Sequence, residues 1–201
     1  MSSKLIIPML SVGHGGMIAG EYQTSGKQHT YENGQTIYEG EFNRDIKNRV
    51  CYLLHSNGYP YIDIAPEQRD VSRDTKVNRA NKHHSEQRKN GNDTFLIEIH
   101  ANAGGGTGCE TFISTNASAK SNFLALLFER FYKINYPSER WRGIKDKNFD
   151  IVHKTSMPAT LFEFFFMDNE KDYKHLNTDI GRDKAARFIC DVILAYIKNY
   201  E

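Results

Sequence analysis

Two histidines, His14 and His100, each close an apolar run that gives way to small residues, in LIIPMLSVGHGG and FLIEIHANAGGG. An imidazole at such a point stands on backbone free to turn, with little side-chain bulk beside it. The chemistry open to it is metal ligation or proton transfer near neutral pH. A catalytic zinc takes about three protein ligands and leaves a position for water, so two converging imidazoles call for one more donor. Among the other histidines, His153 at the end of FDIVH is the strongest competitor, because the rest lie in polar stretches or near a helix end. The carboxylate alternatives are Glu39 and Glu41, just ahead of a helical pattern that starts near Phe42. Spacing alone leaves both open, since acids beside the positive end of a helix dipole gain ~0.3–1 kcal/mol each.

Glu163 carries a different signal. It sits within LFEFFF, where an ionised carboxylate incurs a large desolvation cost unless it is paired or protonated. The choice is a structural salt bridge or a carboxyl of raised pKa suited to acid and base work. Glu98 shares a strand face with His100 by the two-residue period, while Ile97 and Ile99 face the other way. It either holds an imidazole or pairs with a cation.

These residues need elements that bring distant strand ends together. Residues 4–12 read as a strand apolar nearly throughout, as expected of one covered on both faces. Residues 17–38 are polar and show neither periodicity, which predicts a long loop. Phe42, Ile46, Val50, Leu53 and Leu54 then recur at helical spacing up to Asn57-Gly58. YIDIA reads as a short strand, Lys76 to Asn90 as a polar surface helix anchored by Val77 and Ala80, and residues 94–100 as the next strand. CETFIST is a further strand, Ser118 caps an amphipathic helix, FDIVH and ATLFEFFF supply the last two strands, and Ile180 to Tyr200 is a closing helix.

Strands alternating with helices predict an α/β fold: a single layered domain over residues 1–201, with a largely parallel central sheet flanked by helices on both faces. In such sheets, sites form outside the carboxyl ends of the strands, where His14 and His100 fall.

Composition narrows the partners. Lys and Arg total 26 against 25 Asp and Glu, so no global charge favours nucleic acid or an anionic membrane. Cys51, Cys109 and Cys190 are widely spaced without a CxxC pair, which predicts reduced, buried thiols rather than a disulfide framework or cysteine zinc site. No apolar run approaches the roughly 18 residues of a membrane span, and the N-terminal sequence lacks the pattern of a secretory signal. The expectation is a chain made in the cytoplasm without a signal peptide or membrane insertion. Neither GHGG nor GGGTG is followed by the Lys-Ser/Thr of a phosphate loop.

Taken in order, SVGHGG, EGEFN at 39–43, FLIEIHANA, and RGIKDKNFDIVHKTSMPATLFEFFFMDNEKDYKHL resemble the zinc-dependent N-acetylmuramoyl-L-alanine amidase family of bacterial cell-wall hydrolases and bacteriophage endolysins. The resemblance runs from about Leu5 to Tyr196. It implies Zn2+ held by His14, Glu39 and His100, because the family places its zinc glutamate four residues before a helix asparagine, here Asn43. Glu41 then becomes a helix-start residue, Glu163 the catalytic glutamate, and Asn102 and Arg142 substrate contacts. The implied substrate is peptidoglycan, cut between the lactyl group of N-acetylmuramic acid and L-alanine of the stem peptide, with release through a phage-made membrane lesion as one route to the wall. Residues 17–38 are longer and more polar than a minimal family member needs. Two rivals stand beside this reading: a zinc peptidase acting within the stem peptide, and a non-catalytic peptidoglycan-binding module whose structural zinc would need a fourth ligand such as His153.

Overall fold

The computed structural model describes residues 4–200. Strand β1 (Ile6–Val12) is buried at every position, as a strand covered on both faces must be. The stretch expected to be a long loop instead forms two small antiparallel hairpins, β2 (Met17–Ile18) with β3 (Glu21–Tyr22) and β4 (Gln28–Thr30) with β5 (Thr36–Tyr38). Strands of two or three residues are too short to show a period of two, so turn chemistry was the only available signal. The second hairpin closes through Gly34 at φ 83°, with Asn33 accepting from the Gln35 amide at 3.0 Å.

Helix α1 (Glu39–Ser56) begins at Glu39, earlier than its apolar pattern, and buries Phe42, Ile46, Val50 and Leu54. Strand β6 (Ile62–Asp63) follows, then α2 (Arg73–Lys89), whose cap Ser72 accepts from the Thr75 amide. Next come β7 (Asp93–Asn102), β8 (Cys109–Ile113) and α3 (Ala119–Asn135), capped by Ser118. The chain finishes with β9 (Trp141–Asp146), α4 (Asp150–His153), β10 (Ala159–Phe166), α5 (Glu170–Asn177) and α6 (Asp179–Tyr200).

FDIVH is therefore a turn of helix, and the strand before it is WRGIKD. His153 and Lys154 donate backbone hydrogen bonds to Phe149 and Asp150 at 2.9 Å each, so Ile151 and Val152 reach the core from a helix. Strand β9 escaped the reading because it is a half-buried edge strand whose charges interrupt its apolar residues. Helix α5 likewise lies where none was expected; its cap Asn169 accepts from the amides of Lys171 and Asp172.

The six strands outside the two hairpins form one sheet in the order β6-β1-β7-β10-β8-β9. Pairing is parallel throughout except between β10 and β8. One face packs on α1, α3 and α6 through Ile97, Ile99, Phe162, Phe128 and Phe188. The other packs on α2 and α4 through Met9, Leu96, Leu161, Val77 and Ile151. All three cysteines are free and buried. Among the described residues, no helix is long and apolar enough to cross a membrane.

Candidate metal and acid-base site

Three neighbouring strands, β1, β7 and β10, deliver the chemistry at their carboxyl ends. Val12 stands opposite Ile99 in the register, and Glu163 stands opposite His100. The glycines explain how the first histidine approaches so closely. A Cβ on Gly13 would lie 1.9 Å from His100 Cε1, so the His100 ring packs directly on the Gly13 backbone. A Cβ on Gly40 would lie 1.9 Å from the Gly15 carbonyl oxygen, so the start of α1 abuts the GHGG turn. His14 itself takes φ 62°, an uncommon conformation for a residue with a side chain and one the surroundings must enforce. They do so through Asn43, which donates to the Gly13 carbonyl at 3.1 Å, and Arg44, which donates to that of His14.

The result is a tight group of donors. His14 Nε2 lies 3.2 Å from Glu39 Oε2, and His100 Nδ1 lies 2.9 Å from Glu39 Oε1. The two rings meet edge to face at 5.3 Å. One ligand atom from each of the three residues falls within 4.8 Å of the others, and this is the one such group among the described residues. Burial alone would raise the Glu39 carboxyl, but hydrogen bonds from His100 and His14 outweigh it and hold the pKa at about 2. Burial alone would lower the His100 imidazole, but Glu39 and Glu98 outweigh it and raise the pKa to about 10. Two imidazoles around an ionised carboxylate are a donor set suited to zinc.

Glu163 sits beside this group without joining it. Its Oε2 is buried and has no hydrogen-bond partner among the described residues. Burial pushes its pKa up to about 7; His100 pulls downward, and the charges of Glu39 and Glu110 push further up. No salt bridge to Glu163 occurs among the described residues, so the raised-pKa alternative fits this carboxyl. The site opens into a cavity of about 990 Å³ whose wall includes Lys27, Asp70, Arg73, Asn102 and Phe149. Lys27 comes from the hairpin region, so that excursion forms one side of the cleft.

The other residues of interest lie as follows. Glu41 turns away from the histidines to receive two hydrogen bonds from Arg182, at 2.7 and 2.9 Å. His153 bonds Ser114 Oγ at 2.8 Å and stays outside the donor group. Asn102 lines the cavity but donates to Glu110 at 2.8 Å. Arg142 does not line the cavity. It donates to the other Glu110 oxygen at 2.8 Å and lies 4.8 Å above the Phe166 ring. Lys145 also donates to Glu110. Arg44, Glu110 and Lys76 are charged residues around the site that sequence reasoning missed. Lys76 is buried in α2 and donates to Glu98. An acid within LIEI raises the same question of a partner as Glu163 within LFEFFF, and that was the available signal.

Comparison with known proteins adds a second line of observation. A family profile described as N-acetylmuramoyl-L-alanine amidase matches residues 9–195. The chain is 31% identical over 177 residues to the N-acetylmuramoyl-L-alanine amidase LytC of Bacillus subtilis, covering 86% of this chain and 34% of that protein. It is 36% identical over 94 residues to the amidase CwlM of Bacillus licheniformis, covering 46% of this chain and 36% of that one. It thus spans about a third of the length of these curated relatives. Among solved structures, an N-acetylmuramoyl-L-alanine amidase from Clostridium difficile 630 superposes with a TM-score of 0.80 at 22% identity, covering 100% of both chains, which shows a shared fold.

Proposed function

This chain belongs to the N-acetylmuramoyl-L-alanine amidase family, and we propose that it hydrolyses the amide between the lactyl group of N-acetylmuramic acid and L-alanine of the peptidoglycan stem. The observation that carries the reading is the convergence of His14, Glu39 and His100 beside Glu163 on the floor of one cleft. In this reading residues 1–201 are an amidase catalytic domain acting on the cell wall, and Zn2+ is its metal, held by His14, Glu39 and His100. Bound there, zinc supplies a water acidified toward neutral pH and a Lewis acid for the substrate carbonyl.

The protein's own groups carry the protons. A Glu163 oxygen takes the proton from the attacking water and delivers it to the departing alanine nitrogen. A carboxyl with its pKa near 7 loses and regains a proton at comparable cost, and a hydrophobic setting is what holds it there. Asn102 contacts the substrate from the cleft wall. Arg142 contributes by engaging Glu110, which also fixes the Asn102 amide.

The direct test is mass spectrometry of purified peptidoglycan after incubation with the protein, with and without a zinc chelator. The expected products are stem peptides with a free L-alanine amino terminus, formed only without chelator. Cuts inside the stem would point to the peptidase instead, and bound zinc without any cleavage would point to the binding module.

A further inference from the structure

Glu98 and Lys76 form a buried pair that the proposed reaction leaves unused. They are 2% and 4% exposed. Glu98 stands two residues before His100 on the same face of β7. Lys76 reaches in from α2, donating to Glu98 Oε1 and, at 3.0 Å, to the Val12 carbonyl. The same Oε1 lies 3.2 Å from His100 Nε2. The other ring nitrogen, Nδ1, faces Glu39 at 2.9 Å. His100 is therefore spanned between two carboxylates, one on each nitrogen, with the Gly13 backbone against its ring.

A buried ion pair gives little net stability compared with apolar residues of the same volume. The arrangement here also exceeds what pairing alone requires: one Glu98 oxygen serves both Lys76 and His100, while Oε2 has no partner among the described residues. A carboxylate on the far nitrogen of a ligating histidine fixes its tautomer and ring orientation. Lys76 adds a link to β1, through the carbonyl two residues before His14.

We propose that Glu98, held by Lys76, is a positioning residue that accepts a hydrogen bond from His100 Nε2–H and so presents Nδ1 to the metal. The proposal rests on the reading of His14, Glu39 and His100 as a zinc site. Glu98 supplies the tautomer and the aim of one ligand. The pair holds that ligand in register with the one on β1.

The experiment is zinc affinity by competition with a chromophoric chelator, together with the ¹⁵N signals of the His100 imidazole in zinc-loaded protein. Glu98→Ala is expected to weaken zinc binding about 10- to 100-fold and to abolish the protected Nε2–H signal. Glu98→Gln keeps an acceptor of the same size and is expected to recover part of that loss. Lys76→Met is expected to weaken binding as well, and wild-type affinity there would remove Lys76 from the proposal. A folded Glu98→Ala protein with affinity within about twofold of wild type and an unchanged Nε2–H signal would overturn the inference. Where Glu98→Ala does not fold, Glu98→Leu, which keeps the side-chain volume without an acceptor, decides, and wild-type affinity with the native ¹⁵N signature there overturns the inference. Failure of the zinc site itself looks different, because the wild-type protein would then bind no zinc or would be insensitive to His14→Ala.

Discussion

In the proposed reaction Glu163 is a single carboxyl that acts as base and acid in turn, and the burial that would suit it to this comes at a cost to folding. Its pKa is raised from 4.5 to about 7, chiefly by burial. For an acid raised in this way the protonated form favours the fold. Its contribution is complete below pH 4.5, is lost as pH rises through about 7, and is then absent. In chelator-treated protein, Glu163→Gln should therefore gain stability relative to wild type between pH 5 and pH 8, by at most about 3 kcal/mol for a shift of this size. Urea denaturation at the two pH values measures it. The same variant should lose about 10²-fold or more of hydrolysis with its zinc content intact. Equal stability differences at both pH values would mean that the carboxyl titrates normally.

At the scale of elements, the site depends on backbones approaching where side chains would block them. Gly13 lets β1 meet the His100 ring on β7, and Gly40 lets α1 meet the GHGG turn. Gly13→Ala introduces a Cβ 1.9 Å from His100 Cε1, a clash that only displacement of the ring or the strand end can relieve. We expect loss of zinc binding of at least 10-fold with the fold retained, read by metal titration beside far-UV circular dichroism. This approach also marks the limit of sequence reading. His14 and His100 were legible because strands ending in small residues are a local pattern, and Glu163 because an acid among phenylalanines has a visible desolvation problem. The choice between Glu39 and Glu41 was not local; it came from the resemblance, and the Arg182 side chain on α6 shows where Glu41 goes. FDIVH misled because five residues carry too little periodicity to separate a strand from a helical turn. The hairpins at 17–38 were hidden for the same reason.

At the scale of the molecule, the proposed ligands are far apart in the chain, at positions 14, 39 and 100, and come from the end of β1, the start of α1 and β7. A metal joining them binds the folded chain and finds no preformed site in the unfolded one, so its binding free energy adds to folding stability. The protein's own contacts already hold the three side chains together through the Glu39 hydrogen bonds. Metal removal should then lower the melting temperature without unfolding the chain at room temperature. At free zinc about 1,000 times the dissociation constant, the gain is about 4 kcal/mol. For a chain of this size each kcal/mol moves the midpoint about 2–4 °C, which gives a rise of roughly 10 °C. Differential scanning calorimetry across a zinc titration should show the midpoint climbing with the logarithm of free zinc. In His14→Ala the slope should collapse, because one strand end no longer contributes a ligand. A midpoint independent of zinc in the wild-type protein would mean that these three elements are not joined through a metal, whatever the activity assay reports.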